Sequence, residues 1–183
     1  MVIRNEAILT TAAQVLAKRP DATLQSIAHA AGISRTTIFN RFPTRDALLE
    51  ALGVDALQRM GQVMERVPTD HLGDLAEVLL DVTKGLISLG AHAQFLYGSP
   101  GQSGGLDSHW EEAFGPLAYY FFRAQSAARL RRDQPLRWLV ASYIGLLIAA
   151  WDEVGAGELG SAQAARLVVD TWMSAAVPFD MEP

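Results

Sequence analysis

The sequence predicts an all-α chain: apolar residues recur at three- and four-residue spacing along most of its 183 positions, and capping residues recur where those stripes begin. About nine helices are expected, three in an N-terminal helix-turn-helix domain over residues 1–45 and the rest in a helical bundle over 46–183.

The first helix, Asn5 to Lys18, carries Ile8, Ala12, Val15 and Leu16 on one stripe, the face of an element buried against a helical hairpin. The next stretch, TLQSIAHAAGISRTTIFNRFPTRDALL from Thr23 to Leu49, is the most informative. Gly32 can take the positive φ of a tight interhelical turn, and Ala28 is small where the second helix must approach. Ile27, Ala31, Ile33, Ile38 and Phe42 fall where a small shared core needs them. Thr23, Ser34 and Thr44 each precede a helix and offer a side-chain oxygen to its unpaired amides. Two short helices joined in this way present the second one to the major groove of duplex DNA.

That second helix leaves Arg35, Thr36, Thr37, Phe39, Asn40 and Arg41 exposed, a set rich in donors and free of carboxylates. Arginine can pair bidentately with guanine and asparagine with adenine, while the threonine methyl suits the thymine methyl. Arg45, in the first turn after Thr44, can meet a phosphate together with the amides of that turn. Arg4 can reach a minor groove, although a lone surface arginine is the plainer reading.

The run GISRTTIFNRFPTRDALLEAL, preceded by TLQSIAHAA and NEAILTTAAQVLAKR, resembles the DNA-binding domain of TetR-family transcriptional regulators. The resemblance is close over about the first 50 residues. It implies phosphate contacts by Thr23, Thr37, Arg41 and Arg45, and base contacts by Gln25, Arg35, Thr36 and Asn40, with Ser34 and Phe39 also in the DNA-binding set, the latter by its ring alone. Phe39 departs from the tyrosine common in the family, and Thr36 stands where glycine is common. The groove-facing surface is therefore bulkier and one hydroxyl poorer.

Charge is divided unevenly. Residues 1–50 hold six Lys/Arg against four Asp/Glu, a net +2, and 51–183 hold nine against sixteen, a net −7. Only the first segment suits phosphate, and so modest a charge per head calls for two heads on one palindrome, hence a homodimer.

Helices are expected from Arg45 to about Val67, from Leu72 to Leu89, from Ala91 to Tyr97, from a Ser108/Glu111 capping box to about Leu130 with a break near Phe114 at Pro116, after Pro135, and from a Ser161 cap to about Val177. GSPGQSGG, between Tyr97 and that capping box, reads as a loop. AARLRRDQP and GLLIAAWDEVGAGELGSAQAARLVVDTW are similar to the C-terminal dimerisation region of many family members. Ala141, Gly145 and Ala149 form a small-residue stripe, and Ala165, Val169, Trp172 and Ala176 an apolar one. Both are candidate dimer contacts, and both spacings equally suit core within one chain.

Met60, Met64, Phe95, Tyr97, Trp110, Phe114, Tyr119, Tyr120 and Phe121 are candidate lining for a small, largely apolar effector, although the same residue types fill ordinary cores. In the family, an effector in such a cavity moves the helix that begins at Thr44 and respaces the two DNA heads. The resemblance thus implies a repressor released from its operator by a small molecule, and the composition is that expected of a cytoplasmic protein. The competing readings are an enzyme and a helical ligand-binding or interaction module that no longer recognises DNA.

No cofactor, metal or enzymatic activity is expected. Cysteine is absent, and His29, His71, His92 and His109 are too scattered for metal spacing. Gly101 to Gly105 matches G-x-S-x-G, but neither a preceding strand nor the required later partners accompany it. The N-terminus lacks the apolar run of a secretory signal. The 14-residue uncharged stretch Trp138 to Trp151 suits a core helix better than a bilayer span.

Overall fold

The computed structural model describes residues 5–98 and 107–178, and over them the chain forms nine helices and no strand. The loop GSPGQSGG, the G-x-S-x-G match and Arg4 lie outside the described residues, apart from Gly98, which ends a helix.

Helix α1 (Asn5–Lys18) buries Ile8, Leu9, Ala12, Ala13 and Leu16, and the predicted Val15 packs at the margin of that face. Helices α2 (Leu24–Ala30) and α3 (Arg35–Arg41) come next, joined through Gly32 at φ +66°. Ala28 is almost wholly buried and its carbonyl accepts the Ile33 amide, so the turn folds directly against the second turn of α2. Ile27, Ile38 and Phe42 are buried as predicted, while Ala31 and Ile33 stay partly covered.

Helix α4 (Arg45–Met64) leaves the head and contributes Leu48, Leu52, Ala56, Met60 and Met64 to a core continuous with that of α1 to α3. It stops before the expected Val67, which is itself buried in the succeeding turn. Helix α5 (Leu75–Ser88) begins three residues later than the apolar stripe suggested, because the Asp74 carboxylate accepts the amides of Ala76 and Glu77. Gly85 lets α5 lie close to α4, where an added Cβ would stand 2.7 Å from a Val63 methyl.

Helix α6 (Ala91–Gly98) packs on α1, α4 and α8. Helix α7 (Asp107–Ser126) starts one residue before Ser108, which is thus inside the helix rather than its cap. It runs through Pro116 without the expected break and ends at Ser126, short of Leu130. Proline removes only one amide from the ladder, and Ala113, Phe114, Leu117, Tyr120 and Phe121 are held by the core on either side of it. Ala128 closes the helix at φ +58°, with the Arg129 amide returning to the Ala124 carbonyl. Arg132 donates to the carbonyls of Gln125 and Ser126 at the same helix end.

Helix α8 (Leu136–Ala156) opens after Pro135 and closes at Gly157, φ +82°. Helix α9 (Ser161–Ala176) has Gly160 at its N-cap, so Ser161 is its first residue and supplies no capping bond. Buried indoles fix these helices. Trp151 Nε1 donates to the Leu86 carbonyl of α5, and Trp172 Nε1 to the Leu139 carbonyl and the Ser142 hydroxyl of α8. The Phe121 and Trp172 rings stack at 4.6 Å, and Tyr143 meets both edge-on.

Candidate nucleic-acid interface

Helices α2, α3 and α4 each start on a cap that their own sequence supplies. Thr23 Oγ1 accepts the Ser26 amide at 3.2 Å, Ser34 Oγ the Thr37 amide at 3.0 Å and Thr44 Oγ1 the Ala47 amide at 3.1 Å. The Ser34 and Thr37 hydroxyls also bond each other at 2.8 Å, which holds both at the amino end of α3. Burial of Ile38 fixes the rotation of α3, leaving Arg35, Thr36, Phe39 and Asn40 exposed, with Thr37 and Arg41 half-covered at its margins. Gln25 and Thr23 are exposed on α2 and its cap.

The Arg35 guanidinium lies over the Phe39 ring, 5.4 Å from its centroid. A donor-rich head is thereby stacked on a partly exposed aromatic rather than left unrestrained. Arg41 Nη1 donates to Asn5 Oδ1 at 3.0 Å and so ties α3 to the start of α1.

Arg45 is placed differently from the expectation. Its Nε donates to the Ala22 carbonyl and its Nη2 to the Pro20 carbonyl, so the guanidinium staples α4 to the turn between α1 and α2. Neither Asn5 nor this staple is marked in the sequence, because one is a lone polar residue and the other depends on main-chain carbonyls brought near only by folding.

The candidate effector residues divide. Met60 and Met64 on α4, Phe95 on α6, and Phe114, Tyr120 and Phe121 on α7 are buried. Tyr120 Oη donates to the Leu72 carbonyl, and Phe121 belongs to the aromatic cluster with Tyr143 and Trp172. Tyr119 is 54% exposed and lies under the Arg123 guanidinium on the outer face, so it is a surface residue rather than a lining one. Tyr97 and Trp110 lie on α6 and α7, and their side chains are outside the described residues.

The candidate dimer stripes divide as well. Ala141, Gly145 and Ala149 are exposed along α8, and among the described residues a Cβ added at Gly145 would meet nothing within 4 Å. Ala165, Val169, Trp172 and Ala176 of α9 are buried against α5 and α8 of the same chain. The α9 stripe is intrachain core, a correction that equal periodicity could not supply. Among the described residues, no group of three or more acidic or histidine side chains is arranged to hold a metal ion.

Residues 8–52 match the model of the bacterial regulatory proteins of the tetR family. The chain is 37% identical over 95 residues to the HTH-type transcriptional repressor LfrR of Mycolicibacterium smegmatis, an alignment covering 51% of this chain and 49% of that protein, so the match spans about half the length of this curated relative. The crystal structure of the TetR-like regulator LfrR from Mycobacterium smegmatis in complex with proflavine is similar over 95% of this chain and 97% of that one, with a TM-score of 0.78 and 25% identity. PfmR, a TetR-family regulator from Thermus thermophilus, shares the fold at a TM-score of 0.74 and 14% identity, over 96% of this chain and 99% of its own. Sequence over residues 8–52 and fold over nearly the whole length thus point the same way: the head is similar to the tetR family of bacterial regulatory proteins, and the chain as a whole has the fold of TetR-like regulators.

Proposed function

We propose that this chain is a homodimeric, sequence-specific DNA-binding repressor of the cytoplasm, whose two heads read a palindromic operator and which a small, largely apolar molecule releases. Residues 1–45 are the reading head and 46–183 the effector-binding and dimerisation body. The observation that carries the reading is the exposed, carboxylate-free face of α3, whose rotation is set by buried Ile38. In this reading Arg35, Asn40, Thr36 and Gln25 reach base edges, and Thr23, Thr37 and Arg41 meet phosphates. Arg45 supports that surface through the Pro20 and Ala22 carbonyls.

A face of α8 supports the dimer. The helix is apolar and long enough by length and composition to cross a membrane, yet only 28% of its most apolar window is buried within the chain. The open flank carries Trp138, 59% exposed, with Ala141, Gly145 and Ala149. Beside it, a groove of about 310 Å³ runs between α8 and α9, with Trp138, Gly145, Thr171 and Trp172 among its lining. Arg137, Asp152 and Glu153 are exposed on the same helix, which suits a second copy of the chain better than lipid.

Met60, Met64, Phe95 and Phe114, on three helices around one interior, are the side chains that an effector would have to displace or contact. LfrR was crystallised with proflavine, and a planar aromatic compound of that kind is the first effector to try here. Release requires that the ligand favour one spacing of the heads over another, because equal affinity for both shifts nothing. The test is a gel shift of duplex DNA flanking the chain's own gene, against random competitor, with and without proflavine. A specific shift weakened by the dye supports the reading. Absence of any specific shift down to low salt overturns it in favour of a helical binding module without operator recognition.

A further inference from the structure

Four charged or titratable side chains form a continuous chain across the junction between head and body. Glu6 of α1 meets Arg59 of α4 at 3.3 Å, and Arg59 Nε donates to Asp55 Oδ2 at 2.8 Å. His92 of α6 brings Nε2 to 3.4 Å from that same Asp55 oxygen. The His92 side chain is only 9% exposed, and its Nε2 has no hydrogen-bond partner. A buried nitrogen left facing a carboxylate costs free energy unless it gains a proton or a donor. Such an arrangement is poised to change when the imidazole titrates.

We propose that Glu6, Arg59, Asp55 and His92 form a proton-sensitive latch that positions the DNA-binding head on the body, closed while His92 is neutral and opened when His92 takes a proton. The latch rests on the operator-binding reading given above for its effect on DNA, though not for its effect on the position of the head.

With His92 neutral, Asp55 serves Arg59 alone, and Arg59 holds Glu6 and hence α1. Protonation sets a second cation against Asp55 Oδ2, the oxygen that Arg59 Nε already holds, and Asp55 is only 17% exposed, so Arg59 and His92 compete for it with little screening by water. Among the described residues, Lys18 of α1 and Asp152 of α8 border the groove at Ala91, one residue before His92. They are exposed and opposite in sign, and leave the balance to buried His92 and the half-buried pair of Asp55 and Arg59. Burial pushes His92 below the ordinary imidazole value, with the Arg59 charge adding to the effect while Asp55 and a hydrogen bond to the Leu89 backbone oppose it. A lowered value means that the docked arrangement holds the neutral ring. Docking is therefore complete above about pH 6.5 and weakens as the pH falls through the lowered value. Once α6 loosens from α4 and α1, the head must be ordered again on DNA, and affinity falls.

The absence of cysteine from the chain allows two spin labels at introduced cysteines, Asp21→Cys on the head and Glu158→Cys on the body, in dimers diluted with unlabelled chain. Pulsed EPR distances and operator affinity are read at pH 7.5, 6.5 and 5.5, with circular dichroism confirming the fold at each pH. The expected wild-type result is a distance distribution that broadens below pH 6.5, together with operator binding weakened about fivefold at pH 5.5 relative to pH 7.5. His92→Gln flattens both profiles, and His92→Asn repeats the comparison should the first variant fold poorly. Glu6→Gln is already broadened at pH 7.5 and changes little on acidification, whereas Arg59→Lys retains the pH profile. An unchanged wild-type distribution, or an identical profile in His92→Gln, overturns the latch. A His92-dependent change in distance without specific DNA binding at any pH upholds the latch and overturns the operator reading.

Discussion

Arg35 stacked on Phe39 and Arg45 bonded to two carbonyls show how one residue type takes two roles within eleven positions. Arg35 has donors open to solvent and an aromatic support that limits the rotamers it must give up on binding. Replacing it with alanine is expected to relax discrimination at one base pair by about 1–3 kcal/mol while leaving binding to random DNA much less affected. Affinities across single-base operator variants would show this, and equal losses on all sequences would contradict it. Arg45→Ala should behave otherwise. The loss of two donors to main-chain carbonyls is expected to lower stability in urea by about 1 kcal/mol, and the salt slope of DNA binding should change less than it does for Arg41→Ala. A full loss of about one counterion without loss of stability would return Arg45 to the phosphate.

Among the helices, the sharpest local irregularity is the end of α7. Ala128 adopts φ +58°, a left-handed conformation in which a Cβ costs about 1–2 kcal/mol and glycine costs little. Ala128→Gly should therefore raise stability by about 0.5–1 kcal/mol with DNA binding unchanged, readable as a higher urea midpoint at constant m-value. A lower midpoint would mean that glycine's greater freedom in the unfolded chain outweighs the relief. The beginnings of α2, α3 and α4 were legible in the sequence because a cap is local: one hydroxyl and the amides two or three residues on. The end of α7 was not, since nothing about Ala128 announces a left-handed residue. Nor was the passage of α7 through Pro116, where packing on both sides outweighs one missing amide.

For the molecule as a whole, the open face of α8 separates self-association from folding. A Cβ at Gly145 would meet nothing within 4 Å among the described residues, so Gly145→Leu should leave monomer stability unchanged or raised by a few tenths of a kcal/mol, because leucine favours a helix over glycine. The same substitution fills the cleft a second copy would enter, and sedimentation should report dimer dissociation at least about tenfold stronger. Trp172→Ala is the opposite case. It removes from the core a stacked indole whose N–H donates to the Leu139 carbonyl and the Ser142 hydroxyl, and should cost about 3–5 kcal/mol in unfolding. A Gly145→Leu variant that remains dimeric would move the interface off this face.

Local sequence is enough to specify the head. Its caps, its φ-positive glycine and its buried periodicity act within a few residues of one another, and together they orient Arg35, Thr36 and Asn40 outward. Periodicity likewise makes the body helical. Which apolar stripes stay open to a partner and which face the chain itself is settled by packing alone. The α8 and α9 stripes have similar spacing, and burial of Trp172 against α5 and α8, with Gly145 left open, arises between distant segments. The junction of Glu6, Arg59, Asp55 and His92 is of the same kind. Its members are separated by up to 86 positions, and charge pairing over that distance exists only once α1, α4 and α6 have been brought together.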